Sequence, residues 1–342
     1  MVSIKDLSKE LGIAVSTVSM ALNDNPKISK KTRELVQKKA RELKYVKSGV
    51  AVDLQKRKTN LILLVLYDAS RSFFSNVIRE LQNAVANAGY DLIISTTYGG
   101  HTSTAEKYIK ERRTDGVIVY TKTIPDELMD LCASKDFPIF VLGHKVLGKN
   151  KYVRSFHYGT EEQTLITADY LIGLGHKRLA YVKGFHESFN TIRSLKYFEY
   201  SMKVNGLEFN DSMVFDANGN SELDGYNVAK NDIAKRYKEF DALVFANDDI
   251  ALGALRAFRE IGIRVPEDIS VVGSHNIPQS ATSIPPLTTY SSDSEYADFY
   301  QDTINLLVSY IEKKVDTKLE EKVTQYKSFD YIVERESVKK LV

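Results

Sequence analysis

Ser3–Leu11 reads SIKDLSKEL, Gly12-Ile13-Ala14-Val15 turns the chain, and Ser16–Asn23 reads STVSMALN. Apolar residues at Ile4, Leu7 and Leu11 fall on one face of a short amphipathic helix, and Val18, Ala21 and Leu22 face them from a second. Two short helices around a tight Gly-containing turn form a helix-turn-helix, whose second helix fits the major groove of DNA. Ser3 with Asp6 three residues on gives a capping-box start, expected to leave first-turn amides free to meet a phosphate. After the Asn23-Asp24-Asn25-Pro26 turn, Ser29 begins a third helix whose stripe of Leu35, Val36, Ala40 and Leu43 closes a small core. Val15, Ser16, Thr17, Ser19 and Met20 remain on or near the recognition helix, small enough for close groove approach, and Ser3, Asn23 and Ser29 complete the candidate DNA-facing set. Hydroxyls suit phosphates and base edges alike, so Ser16 and Thr17 specify no sequence by themselves.

Charge is divided in the same way. Residues 1–58 hold fourteen Lys and Arg against six Asp and Glu, a net +8, while the remainder holds thirty-three against thirty-nine, a net −6. The near-neutral total of +2 conceals a basic head on an acidic body, as expected where one end alone meets phosphate. A solvated basic helix surface would give the same charge without DNA; the helix-turn-helix weighs against that.

At 342 residues the chain exceeds one ordinary domain, and 43% hydrophobic with 27% charged residues describes a globular protein. The single Cys132 excludes an internal disulfide framework and fits a reducing compartment. The start, Met-Val-Ser-Ile-Lys-Asp, lacks the apolar stretch of a secretory signal, and no apolar run approaches the roughly twenty residues of a spanning helix. The expected location is cytoplasmic.

The opening segment resembles the lactose-repressor (LacI/GalR) family of bacterial transcription factors, which begin with a pattern like T-I-K-D-V-A-x-x-A-G-V-S-x-x-T-V-S-R-V-L-N. Here stand Ser3-Ile4-Lys5-Asp6-Leu7 and Gly12-Ile13-Ala14-Val15-Ser16-Thr17-Val18-Ser19-Met20-Ala21-Leu22-Asn23. Met20 replaces a frequent base-contacting Arg, which exchanges a guanine contact for an apolar contact with a thymine methyl. After Leu43-Lys44-Tyr45, Ala51 and Leu54 keep the family's A-x-x-L hinge spacing. The resemblance implies that Leu54 is levered into the minor groove and kinks the site; a flexible linker with one buried Leu is the alternative. Val52 and Asp53 depart from the family's polar or basic choices, and a carboxylate there repels phosphate.

Residues 60–342 alternate apolar runs with amphipathic helices. Leu61–Leu66 (LILLVL), Asp91–Ser95, Gly116–Tyr120 and Ile139–Leu142 are expected strands, with a helix over Phe74–Ala88, and the cycle restarts at Arg178–Val182, Ala242–Ala246 and Ile269–Val272. Such alternation predicts parallel sheets with helices on both faces. The fold class is therefore α/β: an all-α headpiece plus a body of two doubly wound parallel-sheet subdomains, with a ligand cleft at the carboxyl ends of the strands. The expected domains are a headpiece over 1–48, a hinge and linker over 49–59, and an effector-binding and dimerisation domain over 60–342. The last divides into roughly 60–157 plus 291–324 and 158–290 plus 325–342.

The resemblance continues through the body in Leu174-Gly175-His176-Lys177-Arg178, Ala246-Asn247-Asp248-Asp249-Ile250-Ala251-Leu252-Gly253, Val265–Gly273, Pro285–Thr289 and Arg335-Glu336-Ser337. It implies a body like periplasmic sugar-binding proteins, closing on ligand by hinge motion. By that resemblance Ser72, Phe73 and Phe74 follow the first strand where the family has N-P-F-F, with Arg71 in place of the Asn. Asp248 is expected to accept hydrogen bonds from ligand hydroxyls, or to cap the helix near Ile250. Arg193 lies near the family's ligand-binding Arg, or is an exposed helix Arg. Tyr120 ends a strand at the cleft, Asn220 stands where an aromatic commonly packs, and Ser274-His275-Asn276 replaces F-D-D or Y-D-D. His275 either donates to a ligand or satisfies a loop carbonyl.

The expected function is a ligand-responsive regulator, a repressor of a carbohydrate-utilisation operon that binds a near-palindromic operator as a homodimer. Its effector is expected to be a sugar or sugar derivative. The alternatives are a regulator governed by a partner protein and, opposed by the headpiece, a solute-binding protein. No Walker A, G-x-G-x-x-G, H-E-x-x-H, G-x-S-x-G or paired-cysteine motif appears, so neither an enzyme nor a cofactor or metal site is expected.

Overall fold

The computed structural model describes residues 2–47, 58–156, 162–185, 189–293, 296–326 and 329–341. Two compact units result, residues 1–59 and 60–342, each with its own core.

The first unit is three helices, α1 (Ile4–Leu11), α2 (Val15–Leu22) and α3 (Lys30–Glu42). α1 ends because Gly12 takes a left-handed φ of 66°, which costs a glycine nothing and reverses the chain into α2. Leu7, Val18, Ala21, Val36 and Ala40 are buried together, with Ile4, Leu11, Leu22 and Leu43 packed around them. Leu35 is 52% exposed, against expectation: one helical position from Val36, it turns some 100° off the buried stripe. Arg33 and Gln37 of α3 donate to the Asp24 carbonyl (3.0 Å) and carboxylate (2.7 Å), fixing the turn that follows α2.

The body holds two sheets. β1 (Leu61–Leu66), β2 (Asp91–Thr96), β3 (Gly116–Tyr120), β4 (Ile139–Leu142) and β5 (Val153–Phe156) form a parallel sheet in the order β2-β1-β3-β4-β5. α4 (Ser72–Asn87), α5 (Ser103–Lys110) and α6 (Asp126–Cys132) connect its strands. β1, β3 and β4 are almost wholly buried because helices cover both faces of the sheet.

The chain crosses between Phe156 and Gln163 into a second lobe, which begins with α7 (Gln163–Gly173), β6 (Leu179–Lys183), α8 (Phe189–Val204), β7 (Val214–Asp216) and α9 (Glu222–Val228). β8 (Ala242–Phe245), α10 (Asp248–Ile261), β9 (Ser270–Ser274) and β10 (Thr288–Asp293) complete it. It returns to the first lobe for α11 (Tyr296–Ile311) and α12 (Thr317–Gln325), whose Phe299, Ile304, Leu307 and Val323 pack against α4 and β1. A third crossing delivers β11 (Phe329–Val333), which pairs antiparallel with β10. The second sheet runs β11-β10-β9-β8-β6-β7 and is parallel apart from that edge. β10 stays in the second lobe to Asp293.

Candidate functional site

In the headpiece, Ser3 and Asp6 form a reciprocal capping box: Asp6 N donates to Ser3 Oγ (3.3 Å), while Ser3 N and Oγ donate to Asp6 Oδ2 (both 2.8 Å). The Ser3 hydroxyl is thus committed within its own turn. α2 has Ala14 at its N-cap and no side-chain cap, so its first turn is left to other acceptors. Val15 and Ser16 are exposed there, and Thr17, Ser19 and Met20 are half-buried. The hydroxyls of Ser16, Thr17 and Ser19 make no hydrogen bond among the described residues. Asn23 accepts from Lys47 Nζ (2.7 Å), and Ser29 caps α3 by accepting from Thr32 N (3.2 Å). Ala51 and Leu54 lie outside the described residues.

In the body, a cleft of about 1130 Å³ opens between the two lobes at the carboxyl ends of their strands. Tyr67 and Arg71 follow β1, Tyr120 ends β3, Phe185 follows β6, Ala246 and Asn247 follow β8, and His275 follows β9. Of the expected residues, Phe73, Phe74, Tyr120, Arg193, Asn220 and His275 line it. Phe74 and Tyr120 meet edge-to-face at 5.6 Å, and Phe73 packs on both.

Contacts among the described residues bridge the lobes. Tyr67 lies against Phe185 (centroids 6.0 Å), and Phe73 lies against His275 (4.7 Å, 36° between planes). Ser72 Oγ donates to Asp249 Oδ1 (3.2 Å), and Arg71 Nε stands 4.0 Å from Asp249 Oδ2. Burial pushes the Asp249 pKa up against the pull of Arg71 and Ser72, and pushes that of Arg71 down. His275 is held at φ 100°, a left-handed conformation costing a non-glycine residue about 1–3 kcal/mol. Burial, aided by the Arg71 charge, lowers its pKa to about 3, so the ring is neutral near pH 7.

Two expected ligand contacts are corrected. Asp248 is fully buried and accepts from Ile277 N (3.0 Å), Ser280 Oγ (2.7 Å) and Thr289 Oγ1 (2.6 Å). It does not reach the cleft and does not cap α10; Asn247 does, accepting from Ile250 N (2.9 Å). A Cβ at Gly273 would collide with Asp248 Oδ1, so the glycine makes room for the carboxylate. Ser72 is likewise absent from the cleft wall, its hydroxyl spent on Asp249.

Residues 3–48 match the family described as "Bacterial regulatory proteins, lacI family", and residues 168–338 match the "Periplasmic binding protein-like domain". The HTH-type transcriptional repressor PurR of Vibrio vulnificus strain CMCP6 is 30% identical over 295 residues, covering 84% of this chain and 86% of that protein. PurR of Vibrio atlanticus strain LGP32 is 28% identical over the whole of both chains. The chain belongs to the lacI family of bacterial regulatory proteins. As a member it is a DNA-binding transcription regulator and not an enzyme.

Solved structures agree on the fold. The lac repressor dimer bound to operator superposes with a TM-score of 0.73 over 98% of each chain at 22% identity. A LacI family regulator from Lactobacillus casei with bound sucrose gives 0.70 at 23% identity, over 81% of this chain and 99% of that one.

Within this lacI-family body, sequence reasoning missed Tyr67, Lys122, Tyr181, Phe185, Thr191 and Asn247 as cleft residues. Asn247 Nδ2 donates to Asn220 Oδ1 (3.2 Å), so Asn220 is positioned by the residue that caps α10. Lys122 and Thr191 sit just beyond β3 and at the start of α8, where strand-end position was a usable signal. No helix among the described residues is long and apolar enough to cross a membrane.

Proposed function

We propose that this lacI-family member is a repressor that binds a near-palindromic operator as a homodimer and responds to a small polar effector in the body cleft. The supporting observation is a pairing within one chain. A second helix presents the hydroxyls of Ser16, Thr17 and Ser19, which make no hydrogen bond among the described residues, and a two-lobed body surrounds a strand-end cleft. Ser16, Thr17, Ser19 and Met20 contact base edges and phosphates, with Ser3, Val15, Asn23 and Ser29 on the flanks. Ala51 and Leu54 form the hinge that wedges the minor groove. Phe73, Phe74, Tyr120, Arg193, Asn220 and His275 hold the effector. Closing on ligand shifts the lobes, and the ligand moves that equilibrium only by its differential affinity for the two states.

A sugar or sugar derivative suits the threonine and asparagine groups along the wall. The relatives named PurR favour a second reading, in which the effector is a purine. Against stacking of a flat base, Phe73 already meets His275 on one side and Phe74 and Tyr120 at its edges.

The test begins by sequencing the DNA that the full chain retrieves from its own genome. Operator affinity is then measured with sugars, sugar phosphates, hypoxanthine and guanine. A two-fold repeat and one ligand class that changes affinity are expected. DNA without a repeat refutes the dimeric operator. Loss of response to every small molecule, with recovery on adding a partner protein, refutes direct sensing.

A further inference from the structure

We propose that the cleft is built for an acid: its effector carries a phosphate or carboxylate group that docks on Arg71. This rests on the effector reading above and specifies the ligand class.

Arg71 lines the cleft, yet only 16% of its side chain is exposed. A guanidinium carries five N–H donors in a rigid fork, and this one makes no hydrogen bond among the described residues. Its Nε is buried without a partner. The nearest carboxylate oxygen, Asp249 Oδ2, is 4.0 Å from Nε, too long for a hydrogen bond. Asp249 gives its other oxygen to Ser72. The ring of Phe74, with its centroid 6.0 Å from the guanidinium carbon, offers a weak substitute. Burial shifts both Arg71 and Asp249 toward their neutral forms, so the long pair does not offset the loss of water.

The surroundings add positive charge. Lys122 and Arg193 line the cleft as well. The neutral His275 ring, lying tilted against Phe73, has no hydrogen bond among the described residues and retains one N–H to donate. Glu127 lines the cleft as an exposed acid, and two further acids of its wall are held in part by their own loops. Asp126 accepts from Leu147 N (3.2 Å) and faces His144 (3.4 Å), and Asp130 accepts from Asn150 N (2.8 Å). Arg71 and the His275 ring thus offer donors that make no hydrogen bond among the described residues, and a planar fork recognises a phosphate or carboxylate through two parallel hydrogen bonds.

The test uses the full chain in thermal-shift and calorimetric titrations with inorganic phosphate, glucose 6-phosphate, gluconate and glucose. Ionic strength is matched with chloride, because the basic headpiece also attracts phosphate. Inorganic phosphate should stabilise the protein beyond chloride, and Arg71→Gln should lower affinity for the acidic probes by at least about tenfold. Asp249→Asn combined with Arg71→Gln keeps the site neutral, guards against misfolding, and should show the same loss. Stronger binding of glucose 6-phosphate than gluconate assigns the group to a phosphate ester, and the reverse assigns it to a carboxylate. Phosphate stabilisation equal in wild type and Arg71→Gln places the ion on the headpiece and overturns the proposal. So does the absence of phosphate stabilisation in the wild type. Glucose binding that ignores Arg71→Gln overturns the acid while leaving the effector cleft intact.

Discussion

Asp248 shows how a residue in an expected ligand position acts as a strut instead. Its carboxylate ties the first turn of α10 to the loop after β9 through Ile277 and Ser280, and to β10 through Thr289. Hydrogen bonds to a charged acceptor contribute about 1.5–3 kcal/mol each, so three amount to roughly 5–9 kcal/mol. Burying the charge costs several kcal/mol in return. Asp248→Ala should therefore destabilise the body by about 3–4 kcal/mol, leaving three buried donors without an acceptor. For a domain this size that lowers the melting midpoint by roughly 6–8 °C.

Asp248→Asn is expected to cost no more than about 1 kcal/mol. The amide oxygen still accepts from Ile277 N and Ser280. The Thr289 hydroxyl lies 3.2 Å from the Tyr290 carbonyl and can donate there while accepting from the new amide. The chain has no tryptophan, so urea unfolding is best followed by far-UV circular dichroism, beside calorimetric effector titration. Wild-type effector affinity in Asp248→Asn is the expected result. A tenfold loss of affinity with unchanged unfolding would refute the strut and return Asp248 to the ligand.

A protein truncated to residues 60–342 should stay dimeric and lose operator binding, whereas the full chain's operator affinity should fall with salt with a log–log slope of about −0.9 per phosphate neutralised; a monomeric truncation refutes the assignment. Leu54→Ala should weaken operator binding by about 2–3 kcal/mol and spare random DNA, and equal losses on both would mean that Leu54 is not a wedge. His275 protonates in the unfolded chain near 6.5, the ordinary value for an imidazole, but in the folded body near 3, so stability present above pH 6.5 is lost as pH falls through that window. The loss from this residue between pH 7 and 5 is about 2 kcal/mol, and His275→Gln should not show it; parallel pH profiles for the two proteins would refute the assignment.

The fold was legible wherever burial on both faces left a continuous apolar run, as in LILLVL of β1 and GVIVY of β3. β5 (VRSF), β7 (VFD) and β11 (FDYIV) escaped because they are sheet edges, partly solvated and too short to show a period. The headpiece was readable from its turn chemistry, apart from Leu35. Asp248 was misplaced for a different reason: its partners Ser280 and Thr289 lie more than thirty residues away, and pairing at that separation leaves no local pattern. Gly273 held the usable clue, since a glycine inside a buried strand often marks a close approach.

Arg71, Asn220 and His275 read in the sequence as three separate departures from the family pattern, each seeming to remove a ligand contact. The body brings all three to one cleft, and there the first and last act on each other. With a histidine in the second lobe where an acid is common, Arg71 loses a carboxylate that could have faced it from β9, and the next acid along, Asp249, stops 4.0 Å short. An Asn at 71 would need no counter-charge, whereas the arginine has Asp249 and Asp68 only at long range and gains from an acid that meets its fork. The tilted His275 ring closes the side of Phe73 while raising no positive charge of its own near pH 7, so Asp249 and Asp68 remain the carboxylates that act on the guanidinium. The two exchanges therefore make physical sense as a pair that moves the site from accepting hydrogen bonds to donating them. Restoring one member of the pair is the sharper probe: His275→Asp should give Arg71 an internal partner, raise stability without ligand, and weaken every acidic effector in proportion, whereas unchanged binding would show that the two residues do not share a charge balance.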